Sequence, residues 1–316
     1  MSDEVGAALE PVLGAGRVAR DVSLAPMTTF GIGGPADWFV EPRSVDELRG
    51  VVAAAHRFGQ PLTMLGGGSN VLIGDRGVRG VVVRFRGSRI ESTGGGEVEA
   101  EAGATINSLV RWTVHRGLAG LEAWAGTPGS VGGAVSGNAH FAGRGIGDLV
   151  RRATLVARSG ELIEVAGDQL GFAYDSSRLQ HAGEILVSAV FGLQRGSDPV
   201  RLRATAHESL VLRKRSQPLR LPSAGCVFRN PDPVVDAMPA DAPASAGALI
   251  DRAGLKGRTI GGASISELHA NFIVNRGGAT ASDVRALIGL CRDEVRRRWG
   301  IVLREEIVYL GEFGNK

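Results

Sequence analysis

The chain has 316 residues, two cysteines and a formal net charge of +3, with 43% hydrophobic and 22% charged residues. These are the proportions of a soluble globular protein with room for two or three domains. They exclude a disulfide scaffold, and no stretch approaches the 18 uninterrupted apolar residues of a membrane span. A nucleic-acid binder would concentrate its basic residues on one face with groove-reading side chains. Only Arg213-Lys214-Arg215 and Arg296-Arg297-Arg298 cluster, and the second reads as the solvated last turn of a helix, where cations suit the dipole. The start Met1-Ser2-Asp3-Glu4 is acidic and lacks the basic and apolar regions of a signal peptide. A cytoplasmic enzyme, without nucleic-acid partner or membrane insertion, is the expectation.

In chain order, Asp37 to Glu41 reads as a short strand ending at Pro42. Ser44 then caps a helix in a capping box with Glu47, whose apolar face is Val45, Leu48, Val51, Val52, Ala55 and Phe58. Leu62 to Leu65 and Gly80 to Phe85 read as strands. Between them lies Gly66-Gly67-Gly68-Ser69-Asn70, running into the extended Val71-Leu72-Ile73. The middle of the chain is strand-rich: Glu97 to Ala102, Ala153 to Ala157, Leu162 to Val165 and Ile185 to Leu193. A helix from Thr105 to Arg116 interrupts it. About 60 residues beyond the first glycine cluster comes Gly126-Thr127-Pro128-Gly129-Ser130-Val131-Gly132-Gly133-Ala134, continuing to Gly137-Asn138-Ala139. The last third holds a long helix from Pro199 to Arg215, a surface excursion rich in Pro, Asp and Ala from Asn230 to Ala248, and a second long helix from Ser282, its expected N-cap, to Trp299, stopped by Gly300. Strict β-α-β alternation is missing, which predicts α+β with segregated sheets rather than a doubly wound sheet.

The two glycine clusters carry the first functional signal. Neither is G-x-G-x-x-G between strand and helix, and no Lys follows as in a P-loop. Glycine clusters often only make turns. Their backbone N–H groups can also converge on an anion, and two such runs suit a ligand with a pyrophosphate and a large flat body, as in a dinucleotide cofactor. Three further places could carry chemistry. Cys226, within Pro222 to Pro231, is either a small core hydrophobe or a proton donor. Glu305-Glu306, between Ile301-Val302-Leu303 and Ile307-Val308-Tyr309, would point to opposite faces of a strand, so either an exposed edge pair or one buried catalytic carboxylate is expected. The Arg213 cluster is either a solvated face or a phosphate site. His269 reads as structural, and neither a metal-ligand spacing nor a G-x-S-x-G elbow occurs.

Taken together, Thr28 to Gly34, Leu65 to Asn70, Gly126 to Ala139, Gln217-Pro218 with Ser223 to Pro231, Ala246 to Asp251, Gly261-Gly262-Ala263, His269 to Asn275 and Leu303 to Ile307 resemble, in order, the UDP-N-acetylenolpyruvoylglucosamine reductase (MurB) family. The resemblance covers nearly the whole chain and fits the shorter branch, without the substrate-capping tyrosine insertion. It implies a two-part FAD-binding domain of the vanillyl-alcohol-oxidase/PCMH type, residues 1–86 and 87–197, and a C-terminal α+β domain for the UDP-sugar, residues 198–316. It implies a monomer in which NADPH reduces FAD, and the flavin then reduces an enolpyruvyl group to a lactyl ether. Cys226 matches the family's proton donor and Glu306 its glutamate. Gly66, Gly67, Gly68, Ser69 and Asn70 are implied at the FAD pyrophosphate, and Thr127, Gly129, Ser130, Gly132 and Asn138 beside the flavin and adenosine.

One position departs from the pattern. The family has Tyr-Arg-x-Ser, its arginine meeting the substrate carboxylate; this chain has Tyr174-Asp175-Ser176-Ser177, with Arg178 next. An acid cannot do that work, so Arg178, or alternatively Arg229, is expected to supply the guanidinium, and Tyr174 to line the substrate or nicotinamide site. Arg213, Arg215 and Gln217 are expected at the substrate diphosphate, and Asn230 at the uridine or phosphate. Two other readings stay open: a sugar or alcohol oxidase of the same fold, with His140 as a covalent flavin attachment point, and a non-catalytic flavin or nucleotide-sugar binder, suggested by Asp175.

Overall fold

The structure, a computed structural model, describes residues 2–141, 143–236 and 238–314. Met1 of the acidic start and Ala237 of the Pro/Asp/Ala-rich excursion lie outside them. The chain divides into two compact units. The first is Met1–Asp21, Asp37–Gly67 and Gly80–Arg213, the second Val22–Ala36, Gly68–Arg79 and Lys214–Lys316.

The first unit opens with α1, Ser2–Leu13, which the sequence reading missed. Val5, Leu9 and Leu13 of this helix are at most 3% exposed, a four-residue spacing that puts them on one face. Its neighbour α2 is Val45–Arg57. Ser44 Oγ accepts the Glu47 N–H, but the return half of the expected capping box is absent. The Glu47 carboxylate instead takes the Arg43 N–H and a two-pronged contact from Arg17. A four-stranded sheet runs in the order Val18–Ser23, Pro35–Val40, Val78–Val83, Leu62–Met64, the last pair parallel with Thr63 opposite Val82. A five-stranded antiparallel sheet has the order Leu162–Ala166, Val150–Val156, Ile185–Gly192, Glu97–Glu101, Ile90–Gly94. Its central strand, Ile185–Gly192, is buried on both faces, so it reads as an apolar run, interrupted only by Ser188, rather than an alternation. Beside it lie α3, Ile106–His115, capped by Thr105, and the six-residue α4, Val131–Ser136, capped by Ser130 inside the second glycine run. Helix α5, Pro199–Ser216, belongs to this unit up to Arg213.

In the second unit an antiparallel sheet runs Ser223–Cys226, Phe272–Asn275, Ala263–Ile265, Thr259–Ile260. Val308–Leu310 pairs in parallel with Val71–Ile73. Two helices, α6 at Ala246–Arg252 and α7 at Ala281–Trp299, bury Leu249, Ile250, Val284, Leu287 and Ile288 in its core. The α7 cap is Thr280, not the expected Ser282. Thr280 and Asp283 form the reciprocal box, while the N–H groups of Ala281 and Ser282 both donate to the Asp75 carboxylate. Gly300, at φ +70°, ends the helix as expected. The segregated sheets bear out the α+β expectation. Among the described residues, no helix is long and apolar enough to cross a membrane.

Candidate cofactor and substrate sites

The two glycine runs meet in the first unit. A Cβ on Gly67 would stand 2.5 Å from Gly129 Cα, and one on Gly66 2.6 Å from Ser130 Oγ. The chains therefore touch backbone to backbone, which any side chain would prevent. Around this contact lies a cavity of about 640 Å³, walled by Gly66, Gly67, Gly103, Gly129, Ser130, Gly132 and Gly133, with Arg84, Arg86 and Glu184 at its polar edges. That volume is in the range of cofactor sites, and the absent Cβ atoms fit a ligand that lies directly against main chain.

The remaining residues expected at the cofactor divide. Thr127 and Asn138 are not part of this wall. Thr127 Oγ1 accepts from Arg213 at 2.8 Å. Asn138 is buried at φ +43° and ties the second glycine run to two loops, donating to Ala173 O at 2.8 Å and accepting from Gly147 N–H at 2.9 Å. Gly68, Ser69 and Asn70 belong to the second unit. Gly68, at φ +62°, lies so close to Met27 and Thr28 that no Cβ fits.

In the second unit, Cys226 and Glu306 come together through the residues beside them. Cys226 ends a strand broken by a register shift at Gly225, φ +81°. The Val227 carbonyl accepts the Glu306 N–H at 2.8 Å. Asn70 joins the same ladder, its Nδ2 donating to Glu306 O at 3.2 Å and its carbonyl accepting the Val308 N–H at 2.9 Å. The predicted strand through Glu305-Glu306 is not formed. Residues 301–307 carry only a single bridge, Glu305 to Phe228, because their backbone runs to a loop partner rather than a continuous ladder. Glu305 faces α7, pairing with Arg292 at 3.2 Å. Cys226 is half-buried, whereas burial pushes the Cys291 thiol up to about 12. His269 is structural, as expected: Nδ1 accepts the Asn271 N–H, and burial lowers its pKa.

The cations and amides expected at the substrate are placed as follows. Arg213 is buried, its guanidinium 4.3 Å from the Phe141 ring centre and bonded to Thr127. Arg215 is exposed and Gln217 half-buried, just past the unit boundary. Asn230 Oδ1 accepts the Ala246 N–H at the start of α6. The Arg229 N–H donates to Arg304 O. Arg178 grips both Glu184 oxygens at 2.9 and 3.0 Å and donates to the Gln169 carbonyl. Tyr174 is half exposed, and its hydroxyl stands 3.4 Å from His140 Nε2, while His140 Nδ1 is 2.7 Å from the Asp175 carboxylate. Sequence reasoning noticed His140 and Asp175 separately but did not pair them: they are far apart in the chain, and no periodicity joins them. Asp75 as the α7 anchor was missed for the same reason. Among the described residues, no group of three or more His, Cys, Asp or Glu could hold a metal ion.

Residues 36–166 match the family described as FAD binding domain, and residues 217–310 the family described as UDP-N-acetylenolpyruvoylglucosamine reductase, C-terminal domain. The UDP-N-acetylenolpyruvoylglucosamine reductase of Gloeobacter violaceus is 41% identical over 293 residues, 92% of this chain and 95% of its own. That of Heliobacterium modesticaldum is 41% identical over 92% of this chain and 89% of its own. The crystal structure of the Thermus caldophilus enzyme superposes with a TM-score of 0.78 at 33% identity, covering 93% of this chain and 99% of that one. A glycine-walled cavity within an FAD-binding domain defines a flavoprotein oxidoreductase. The chain belongs to the UDP-N-acetylenolpyruvoylglucosamine reductase family. The oxidase reading is not favoured: the relatives are reductases, and His140 Nδ1 is already engaged by Asp175.

Proposed function

We propose that the protein uses NADPH and FAD to reduce the enolpyruvyl group of UDP-N-acetylglucosamine enolpyruvate, giving UDP-N-acetylmuramate for peptidoglycan synthesis in the cytoplasm, and that it works as a monomer. The observation that carries this reading is the ladder that ties Val227, next to Cys226, to Glu306 and Asn70, in a chain that also has a glycine-walled cavity. The bare backbone at Gly66, Gly67, Gly129 and Gly132, with Ser130, would hold the FAD. When bound, FAD supplies the hydride chemistry that no side chain can.

The chain's own residues supply the proton and the positioning. Hydride addition at one carbon leaves enolate-like charge beside the substrate carboxylate, which needs donors and a proton. Cys226 would give its S–H proton to the other carbon of the former double bond, the one that bears the carboxylate, and a thiol is more acidic than a hydroxyl. Glu306 holds a proton near the substrate carboxylate. Arg215 and Gln217 take the diphosphate, with Asn230 toward the uridine or phosphate, and Arg229 is the remaining guanidinium for the substrate carboxylate. Arg213 stacks on Phe141 and orders the Thr127 turn. Arg178 braces Glu184 at the cavity wall, leaving the substrate carboxylate to another donor. The anaerobic test has two steps: NADPH should bleach the flavin, and the enolpyruvyl sugar nucleotide should then recolour it. Bleaching without recolouring would keep the cofactor assignment and reject the substrate.

A further inference from the structure

The cavity of the first unit is to take a cofactor with two phosphate charges, yet its wall carries an acid. Among the described residues that line it, Glu184 is the one carboxylate, beside Arg84, Arg86, small polar side chains, glycines and apolar residues. An ionised carboxylate at that place would repel phosphate and lose part of its own hydration. Its charge is met by Arg178. The guanidinium bonds both oxygens, Nε to Oε2 at 3.0 Å and Nη2 to Oε1 at 2.9 Å, the two-pronged geometry that is strongest for this kind of pair.

Arg178 is itself held from the other side, where Nη1 donates to the Gln169 carbonyl at 3.0 Å. It opens a short 3₁₀ turn, Arg178–Gln180, and the residue before that turn, Ser177, is 2% exposed and donates its hydroxyl to the Ser136 carbonyl at 2.7 Å. Ser136 and Leu179 line the same cavity, as do Ile185 and Leu186, which follow Glu184 into the central strand. The clamp is therefore tied to the cavity wall through the main chain of both partners. Solvent reaches 18% of the Glu184 side chain and 35% of that of Arg178, so the carboxylate is covered more deeply than the cation that holds it.

A carboxylate has about four acceptor positions, and the two bonds from Arg178 leave the others open to a ligand. Those positions suit N–H and O–H donors, because the guanidinium has balanced the charge, while phosphate is better served by bare glycine backbone. FAD carries such donors in its hydroxyl groups and its adenine amine. We propose that Glu184 is a specificity residue of the cofactor cavity, accepting hydrogen bonds from hydroxyl or amino groups of FAD, and that Arg178 is a positioning residue that holds its carboxylate in place. This rests on the cofactor reading above, and it gives Arg178 a task in cofactor retention instead of the substrate-carboxylate role expected from the sequence.

The test reads FAD release rather than turnover. Full-length, FAD-loaded protein is diluted, and the rise of free-flavin fluorescence gives the release rate. Glu184→Ala should speed release about tenfold or more, the worth of one hydrogen bond to a charged group. Arg178→Met should speed it by a similar factor and Arg178→Lys by less. The double variant should release FAD no faster than Glu184→Ala alone, since both changes act through one carboxylate. If Glu184→Ala does not fold, Glu184→Gln, which keeps the volume and loses the charge, is read in its place. Competition by ADP, at concentrations that displace FAD from the parent, locates the contact. An ADP affinity that falls with that of FAD puts the donor in the adenosine half, and one that stays puts it in the ribityl and flavin half. Release within twofold of the parent in both the Glu184 and the Arg178→Met variants would overturn the proposal, and a lowered Tm of their flavin-free forms would then make the pair a brace of the wall only. A parent that holds no FAD would overturn the cofactor reading together with this one.

Discussion

Gly67 and Gly129 are in backbone contact: a Cβ on the first would lie 2.5 Å from the Cα of the second and 3.1 Å from its carbonyl carbon. Neither partner is a flexible side-chain end, so the main chain itself must move to admit a methyl group. Gly67→Ala should destabilise the first unit by about 1–3 kcal/mol and sharply reduce FAD retention. The ratio of flavin to protein absorbance and a thermal melt would check both, and a variant with full flavin content would sink the idea that this contact shapes the cofactor wall.

Cys226 and Cys291 differ in burial, and their reactivity should follow. Burial pushes the Cys291 thiol up to about 12, while Cys226 is half-buried at the end of its strand. Because the thiolate is the reactive form, iodoacetamide at neutral pH should label Cys226 and spare Cys291 in the folded protein, as peptide mass spectrometry would show. Equal labelling would contradict the packing of α7.

Loss of the Cys226 thiol should fall on one half of the reaction. Cys226→Ala should slow reoxidation of the flavin by the enolpyruvyl substrate by roughly 10²–10⁴-fold, the usual worth of a positioned proton donor. Its reduction by NADPH should be unchanged. Stopped-flow absorbance separates the two steps, and equal effects on both would assign Cys226 a binding role instead.

Glu47 makes acid stability a specific test of the first unit. Its hydrogen bonds from Arg17, opposed in part by burial, lower its pKa from 4.5 to about 2. A carboxylate with a depressed folded pKa contributes stability that is full above its unfolded value and is lost as pH falls through the folded one. The contribution therefore disappears between about pH 4.5 and 2. At pH 7, Glu47→Gln should lower Tm by about 2–4 °C, and the difference from the parent should shrink as pH approaches 2. Both side chains keep about a quarter of their surface in water, so solvent screening holds the effect to that size.

Asp75 anchors α7 from outside the helix, accepting the Ala281 N–H at 2.7 Å, the Ser282 N–H at 3.0 Å and the Ser282 hydroxyl at 2.9 Å. Asp75→Ala should cost about 0.5–2 kcal/mol, as for loss of a cap, measured by urea unfolding. Thr280→Ala should cost a similar amount. A neutral Asp75 variant would mean that the box formed by Thr280 and Asp283 suffices.

What was legible in the sequence follows from what is local. The α3 span, the α2 apolar face and the Gly300 stop are all written within one or two turns of helix, so spacing and cap chemistry place them. The cap of α7 was misplaced by two residues because Ser282 and Thr280 are both good caps, and the choice is made by Asp75, about 200 positions earlier. The strand expected through Glu306 failed similarly: its apolar residues are real, but the backbone partners are Val227 and Asn70 rather than a continuous ladder. Helix α1 was overlooked because Gly6 and Pro11 weaken its propensity, while tertiary burial of Val5, Leu9 and Leu13 sustains it. The glycine runs were recognisable one at a time as loops that bring backbone close to a ligand, but their mutual contact was not. Pairs such as His140 and Asp175 leave no periodic trace and become visible only when the chain is folded.

Helix α1 also bears on how the protein should be handled. Val12 packs so closely on Gly50 of α2 that a Cβ there would fall 2.6 Å from it, and Val5, Leu9 and Leu13 are sealed in the same interior as Trp38 and Val51. A recombinant version shortened to begin at Met27 would uncover that interior along a whole groove of α2, and inclusion bodies rather than a leaner enzyme should result. Any peptide fused ahead of Ser2 needs a flexible spacer long enough to leave the first helical turn undisturbed.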